Sequence, residues 1–135
     1  MQKLEHIGIA VKNLAEANVL FARLLGRQHY KVEEVESEGV RTSFFEVGGV
    51  KIELLEATRP DSPIARFIEK RGEGIHHLAF EVADVHHALE DYQQKGFEAI
   101  NAAPKKGADN KMICFLHPKS TQGVLVELCQ EVNGS

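Results

Sequence analysis

Gly74-Ile75-His76-His77-Leu78-Ala79-Phe80-Glu81-Val82 restates, half a chain later, the opening stretch Leu4-Glu5-His6-Ile7-Gly8-Ile9-Ala10-Val11. Placing His6 on His77 brings Val11 onto Val82 and the step at Asn13-Leu14 onto Asp84-Val85 without a gap. Each copy reads as a strand with a histidine near its start, followed by a helix. A repeat at this spacing decides the architecture before any local reading does. The chain is expected to be α+β, with module one over about 3–56, a linker helix within about 57–73 and module two over about 74–130.

The chain of 135 residues is expected to form one domain of two halves, with a core that needs no disulfide or metal staples. Its 43% hydrophobic and 27% charged residues are near the averages of soluble globular proteins. A net charge of -4, with both signs interspersed, argues against nucleic acid or an anionic membrane as a partner. No apolar run approaches the roughly 18 residues of a spanning helix, and a strand is read almost directly after Met1, so the chain reads as cytoplasmic in character. Cys114 and Cys129 sit in apolar strands and read as small buried hydrophobes with reduced thiols.

Taken in order, the first strand, about 3–11, puts Ile7, Ile9 and Val11 on one face and His6, Gly8 and Ala10 on the other. Asn13 caps a helix whose apolar stripe is Leu14, Ala17, Phe21, Leu24 and Leu25, ended by Gly26. Strands are expected over 28–35, over Val40 to Val47, and, after the Gly48-Gly49 turn, from Lys51 to Glu56, where Glu53 lies opposite Ile52 and Leu54. Ser62-Pro63 starts the linker helix and Gly72 stops it. In the second module Asp84 caps a helix with Val85, Ala88, Leu89 and Tyr92 inward. Strands are expected at about 97–102, 111–116 and 123–130, with a loop from Pro104 to Asn110 and a turn at His117-Pro118-Lys119-Ser120. Val124, Val126 and Leu128 take the core face, which leaves Glu127 opposite, as Glu53 is in module one.

Each module thus offers one histidine from its first strand and one glutamate from its last, on the face the core is not expected to use. A carboxylate on a half-buried strand is costly without a partner, and a divalent ion would compensate both. Two imidazoles and two carboxylates with no thiolate suit Mn, Co, Fe, Ni, Zn or Mg without choosing among them. His6, Glu53, His77 and Glu127 are therefore the candidate ligands of one divalent metal ion. Parity selects His77 over His76, which belongs to the core face; His86, His87 and His29 are assigned no role.

The duplicated strand-helix-three-strand unit and this quartet resemble the vicinal oxygen chelate superfamily, which includes glyoxalase I, extradiol dioxygenases and antibiotic-binding proteins. Within it the chain is similar to the methylmalonyl-CoA epimerases, on the segments from His6 to Val11, Gly49 to Glu56, Asp61 to Val82 and Phe115 to Leu128. The resemblance implies a curved mixed sheet of two pseudo-symmetric βαβββ modules around a metal-binding cleft. It also implies interconversion of (R)- and (S)-methylmalonyl-CoA, with proton abstraction at C2 and the enolate stabilised by the chelated ion. Glu127, at the position of the ligating glutamate of the last strand, is the catalytic residue implied. Some relatives carry a second glutamate base three residues beyond the glycine that opens the third strand; this chain has Thr42 there, with Glu46, Glu36 and Glu38 as nearby carboxylates. For the acyl-CoA partner the candidates are Lys105, Lys106 and Lys119, and a homodimer is expected. The rivals are another enzyme of the superfamily, glyoxalase-like or a dioxygenase, and a binding protein of the same fold without chemistry.

Overall fold

The computed structural model describes residues 3–132. The chain divides into two compact units, one from His6 to His76 and one formed by the chain up to Glu5 and from His77 on. The division falls inside the two restated strands rather than in the linker.

The first unit holds β1 (Lys3–Ala10, from His6 on), α1 (Leu14–Leu25), β2 (Lys31–Val35), a short 3-10 turn at Glu36–Glu38, β3 (Val40–Val47), β4 (Val50–Ala57) and α2 (Pro63–Arg71). The strand order is β2-β3-β4-β1, with β1 parallel to β4 and the other pairs antiparallel. Asn13 accepts the Glu16 N–H at the start of α1, and Gly26 ends it at φ 73 with its N–H on Ala22 O. Ile9, Val11, Ile52, Leu54 and Phe45 pack against Leu14, Ala17, Phe21 and Leu25, the helix face expected. Leu24 is a correction: it is 70% exposed, at the edge of the stripe, about 60° round the helix from Phe21 and about 100° from Leu25.

The second unit holds β5 (Gly74–Glu81, from His77 on), α3 (Val85–Gln94), β6 (Lys105–Lys106), β7 (Lys111–Leu116), a 3-10 turn at Pro118–Ser120 and β8 (Val126–Glu131). The order β5-β8-β7-β6, with β5 parallel to β8 and β7 antiparallel to its neighbours, repeats the first unit. Val11 N donates to Leu55 O at 2.9 Å, and Val82 N donates to Cys129 O at 2.9 Å, the same bond in each copy. A second shared strut joins strand to helix: Glu56 Oε2 accepts from Leu14 N at 3.0 Å, and Gln130 Oε1 from Val85 N at 2.9 Å. Val85, Leu89, Cys114, Leu116, Val126 and Leu128 form the core beneath α3.

Three further expectations are corrected, two in this unit and one in both. The strand at 97–102 is only a bridge between Ala99 and Leu116, and the ladder resumes at β6, inside the expected loop. Pro104 has no N–H to give, and Ala102 and Ala103 are exposed with nothing to bury, so pairing stops before them and resumes only at Lys105. Gln122 and Gly123 turn with φ 56 and 93, so the last strand is entered only at Val126, and Val124 is 43% exposed. Finally, the histidine faces are not left bare. Ala10 and Leu55 pack under Ile64 of α2 in one unit, and Ala79, Ile113 and Cys129 cluster in the other.

Candidate metal and active site

Strand parity and register bring each candidate pair together within its own unit. In the first, Gly8 of β1 stands beside Glu53 of β4, so His6 and Glu53 share a face, and His6 Nδ1 lies 3.2 Å from Glu53 Oε2. In the second, Ala79 stands beside Glu127, and His77 Nε2 lies 3.1 Å from Glu127 Oε1. All four residues are buried, at 5%, 4%, 6% and 5% exposure in chain order. The two pairs match in register but use different ring nitrogens.

A carboxylate this deep loses its hydration and is tolerated where hydrogen bonds or opposite charge replace it. Each has an imidazole nitrogen within hydrogen-bonding or ion-pairing range, and the same nitrogen and oxygen atoms are those a divalent ion takes. The donor set therefore fits the expected ion.

Sequence reasoning missed the aromatic partner of each pair. Phe44 is the register partner of Glu53 across β3, and Phe115 is that of Glu127 across β7. The Phe115 ring stands edge-on to His77, centroids 5.8 Å apart at 89°. Phe44 carries Lys31 Nζ at 4.7 Å from its centroid and Tyr30 at 6.1 Å. The signal was available: the offset that maps His6 onto His77 also maps Phe44 onto Phe115.

His76 meets Phe67 of α2 edge-on at 4.9 Å, the structural place its parity assigned. His86 and His87 are exposed on the first turn of α3, and the His87 N–H is capped by Asp84. Thr42 is buried, on the face of Phe44 and Leu55, and Glu46 and Glu36 are exposed. Of the lysines, Lys105 and Lys106 pair as strand residues with Ile113 and Met112, not as loop residues. Lys119 Nζ meets Glu98 Oε1 at 3.3 Å on the surface. Lys111, not singled out from the sequence, is a buried cation on the face of Phe115 and Ile113.

A profile of the Glyoxalase/Bleomycin resistance protein/Dioxygenase superfamily matches residues 5–115. The chain belongs to this superfamily, whose fold of paired βαβββ modules accounts for the repeated register. Within it, the chain is 41% identical over 127 residues to a mitochondrial methylmalonyl-CoA epimerase of Dictyostelium discoideum, covering 93% of this chain and 76% of that one. It is 38% identical to the human mitochondrial methylmalonyl-CoA epimerase, over 95% of this chain and 73% of that one. Among solved structures, a Streptomyces coelicolor methylmalonyl-CoA epimerase variant in complex with 2-nitronate-propionyl-CoA aligns with a TM-score of 0.93 at 34% identity, over 98% of this chain and 99% of that one. The resemblance read from the motifs is thus upheld over nearly the whole chain.

Proposed function

We propose that the chain is a metal-dependent methylmalonyl-CoA epimerase in which His6, Glu53, His77 and Glu127 are the ligands of one divalent ion. The observation that carries this reading is the pair of buried His–Glu contacts at matching register in the two repeats. The similarity to methylmalonyl-CoA epimerases over nearly the whole chain suggests the substrate.

When bound, the ion supplies Lewis-acid stabilisation of the negative charge that builds on the thioester oxygen as the C2 proton leaves. Glu127 takes that proton on a carboxylate oxygen and is the catalytic residue. His6, Glu53 and His77 hold the site, and the rings of Phe44 and Phe115 beside the two carboxylates keep water from them. Thr42, having no basic group at neutral pH, takes no proton. The inverted centre arises when C2 takes a proton on its other face from water, Glu127 afterwards losing to solvent the proton it took. Lys105, Lys106 and Lys119 are the cations offered to the CoA phosphates, and the working molecule is a homodimer.

Deuterium entry at C2 of methylmalonyl-CoA in heavy water, followed by proton NMR, tests the reading. Metal-free protein is expected to be silent, and protein reloaded with Co or Mn to exchange C2 while the two stereoisomers equilibrate. Glu127→Gln is expected to slow exchange by about three orders of magnitude. No exchange with any metal sinks the epimerase reading; glutathione hemithioacetals then test the glyoxalase-like one.

A further inference from the structure

The face that carries His77 and Glu127 runs along β7 from Phe115 through Ile113 to Lys111. Lys111 is 5% exposed, and its Nζ lies 3.7 Å from Glu5 Oε2 and 3.7 Å from Asp109 Oδ2. Glu5 is itself 4% exposed. Asp109 and Asn110, at φ 60 and 56, turn the chain into β7. Asn110 is tied to the end of β8: its O accepts from Val132 N at 3.1 Å, and its Nδ2 donates to Val132 O at 3.1 Å. One ammonium group thus joins the opening of β1 to the β7 turn.

The offset that maps His6 onto His77 maps Val40 onto Lys111. Val40 and Ala57 pack with Leu55, Ile64 and Ile68, so in the first unit α2 closes this end of the face with apolar side chains. The second unit uses a cation and two carboxylates instead. A buried ion cluster is no more stabilising than apolar packing of the same volume, but it is directional, and it fixes where the carboxylate and its main chain lie. The parallel ladder to β4 begins at His6, one residue after Glu5.

We propose that Lys111 is a positioning residue: by gripping Glu5 it sets the main chain of the next residue, His6, as a metal ligand. This rests on the reading of His6 as a ligand. Charge alone and position predict opposite signs. Removing a nearby cation should tighten the binding of a divalent ion, whereas releasing the strand that carries a ligand should weaken it.

Cobalt(II) titration followed by its visible absorption separates the two in Lys111→Met, which leaves Glu5 and all four proposed ligands in place. The expected result is binding weakened about tenfold or more, with Lys111→Arg staying near the parent. Because Lys111→Met takes the cation away from a buried carboxylate, its Tm is expected to fall by roughly 10 °C. Should it fail to fold, the charge-balanced Glu5→Gln/Lys111→Met variant takes its place, with the same loss of cobalt affinity expected. Cobalt bound as tightly as by the parent, or more tightly, overturns the proposal. A parent chain that binds no cobalt overturns the metal reading itself, and the proposal with it.

Discussion

Cys114 and Cys129 are adjacent in the β7–β8 ladder of one unit yet face opposite ways. Cys114 lies in the core under α3, and Cys129 beside Ala79 and Ile113 on the histidine face. Burial first, and then the negative charge of Glu127, push the Cys114 thiol up to about 11 from 9.0; burial raises Cys129 still further. The sign follows. An unfolded chain ionises these thiols from about pH 9, whereas the folded one keeps them protonated. Their contribution to stability is full below about pH 9 and is lost as pH rises through about 11. At pH 8 neither thiol is expected to react with Ellman's reagent until urea unfolds the chain; prompt reaction of the native protein would contradict the burial. These residues behave as the sequence implied, because a small apolar side chain in an apolar strand has one favourable place. The Phe115 edge on His77 was not foreseen, since parity tells which face a ring occupies but not what it touches.

The turn before β3 shows how an element is aimed. Gly39, at φ 64, closes the 3-10 turn with its N–H on Glu36 O at 3.1 Å, while its O accepts from Thr58 N at 2.8 Å. Arg59 donates to Glu36 O at 2.7 Å and Ser37 O at 3.3 Å, tying the turn to the chain that leads into α2. A Cβ on Gly39 would stand 2.8 Å from the Ser62 Cβ and 2.9 Å from the Arg59 guanidinium carbon. Ser62 is the N-cap of α2, so neither neighbour is free to withdraw. Gly39→Ala is therefore expected to cost about 2 kcal/mol, lowering Tm by roughly 6 °C in a thermal melt. A melt unchanged within a degree or so would mean that the turn is not pinned. From the sequence this stretch reads only as an acidic turn, because the clash involves residues some twenty positions later.

For the molecule as a whole, the proposed ion binds the folded chain and not the unfolded one, so it must raise stability by mass action. With free cobalt at about 100 times its Kd the gain is about 2.7 kcal/mol, a rise in Tm of roughly 8 °C over protein treated with chelator. Equal melts with and without metal would count against a shared site for His6, Glu53, His77 and Glu127.

The sequence by itself determined the repeat, and with it the two βαβββ units, the helix caps at Asn13, Ser62 and Asp84, and the parity that pairs His6 with Glu53 and His77 with Glu127. These follow from local periodicity and from identity between two stretches of one chain, which need no knowledge of what packs on what. Only the tertiary structure decided that α2 covers the far end of one histidine face while Lys111, Glu5 and Asp109 occupy the corresponding end of the other. It likewise decided that Leu24 stays in solvent and that the last strand starts at Val126. Each of these depends on contacts between residues distant in the chain, where the same lysine or leucine can be surface or core according to what lies over it.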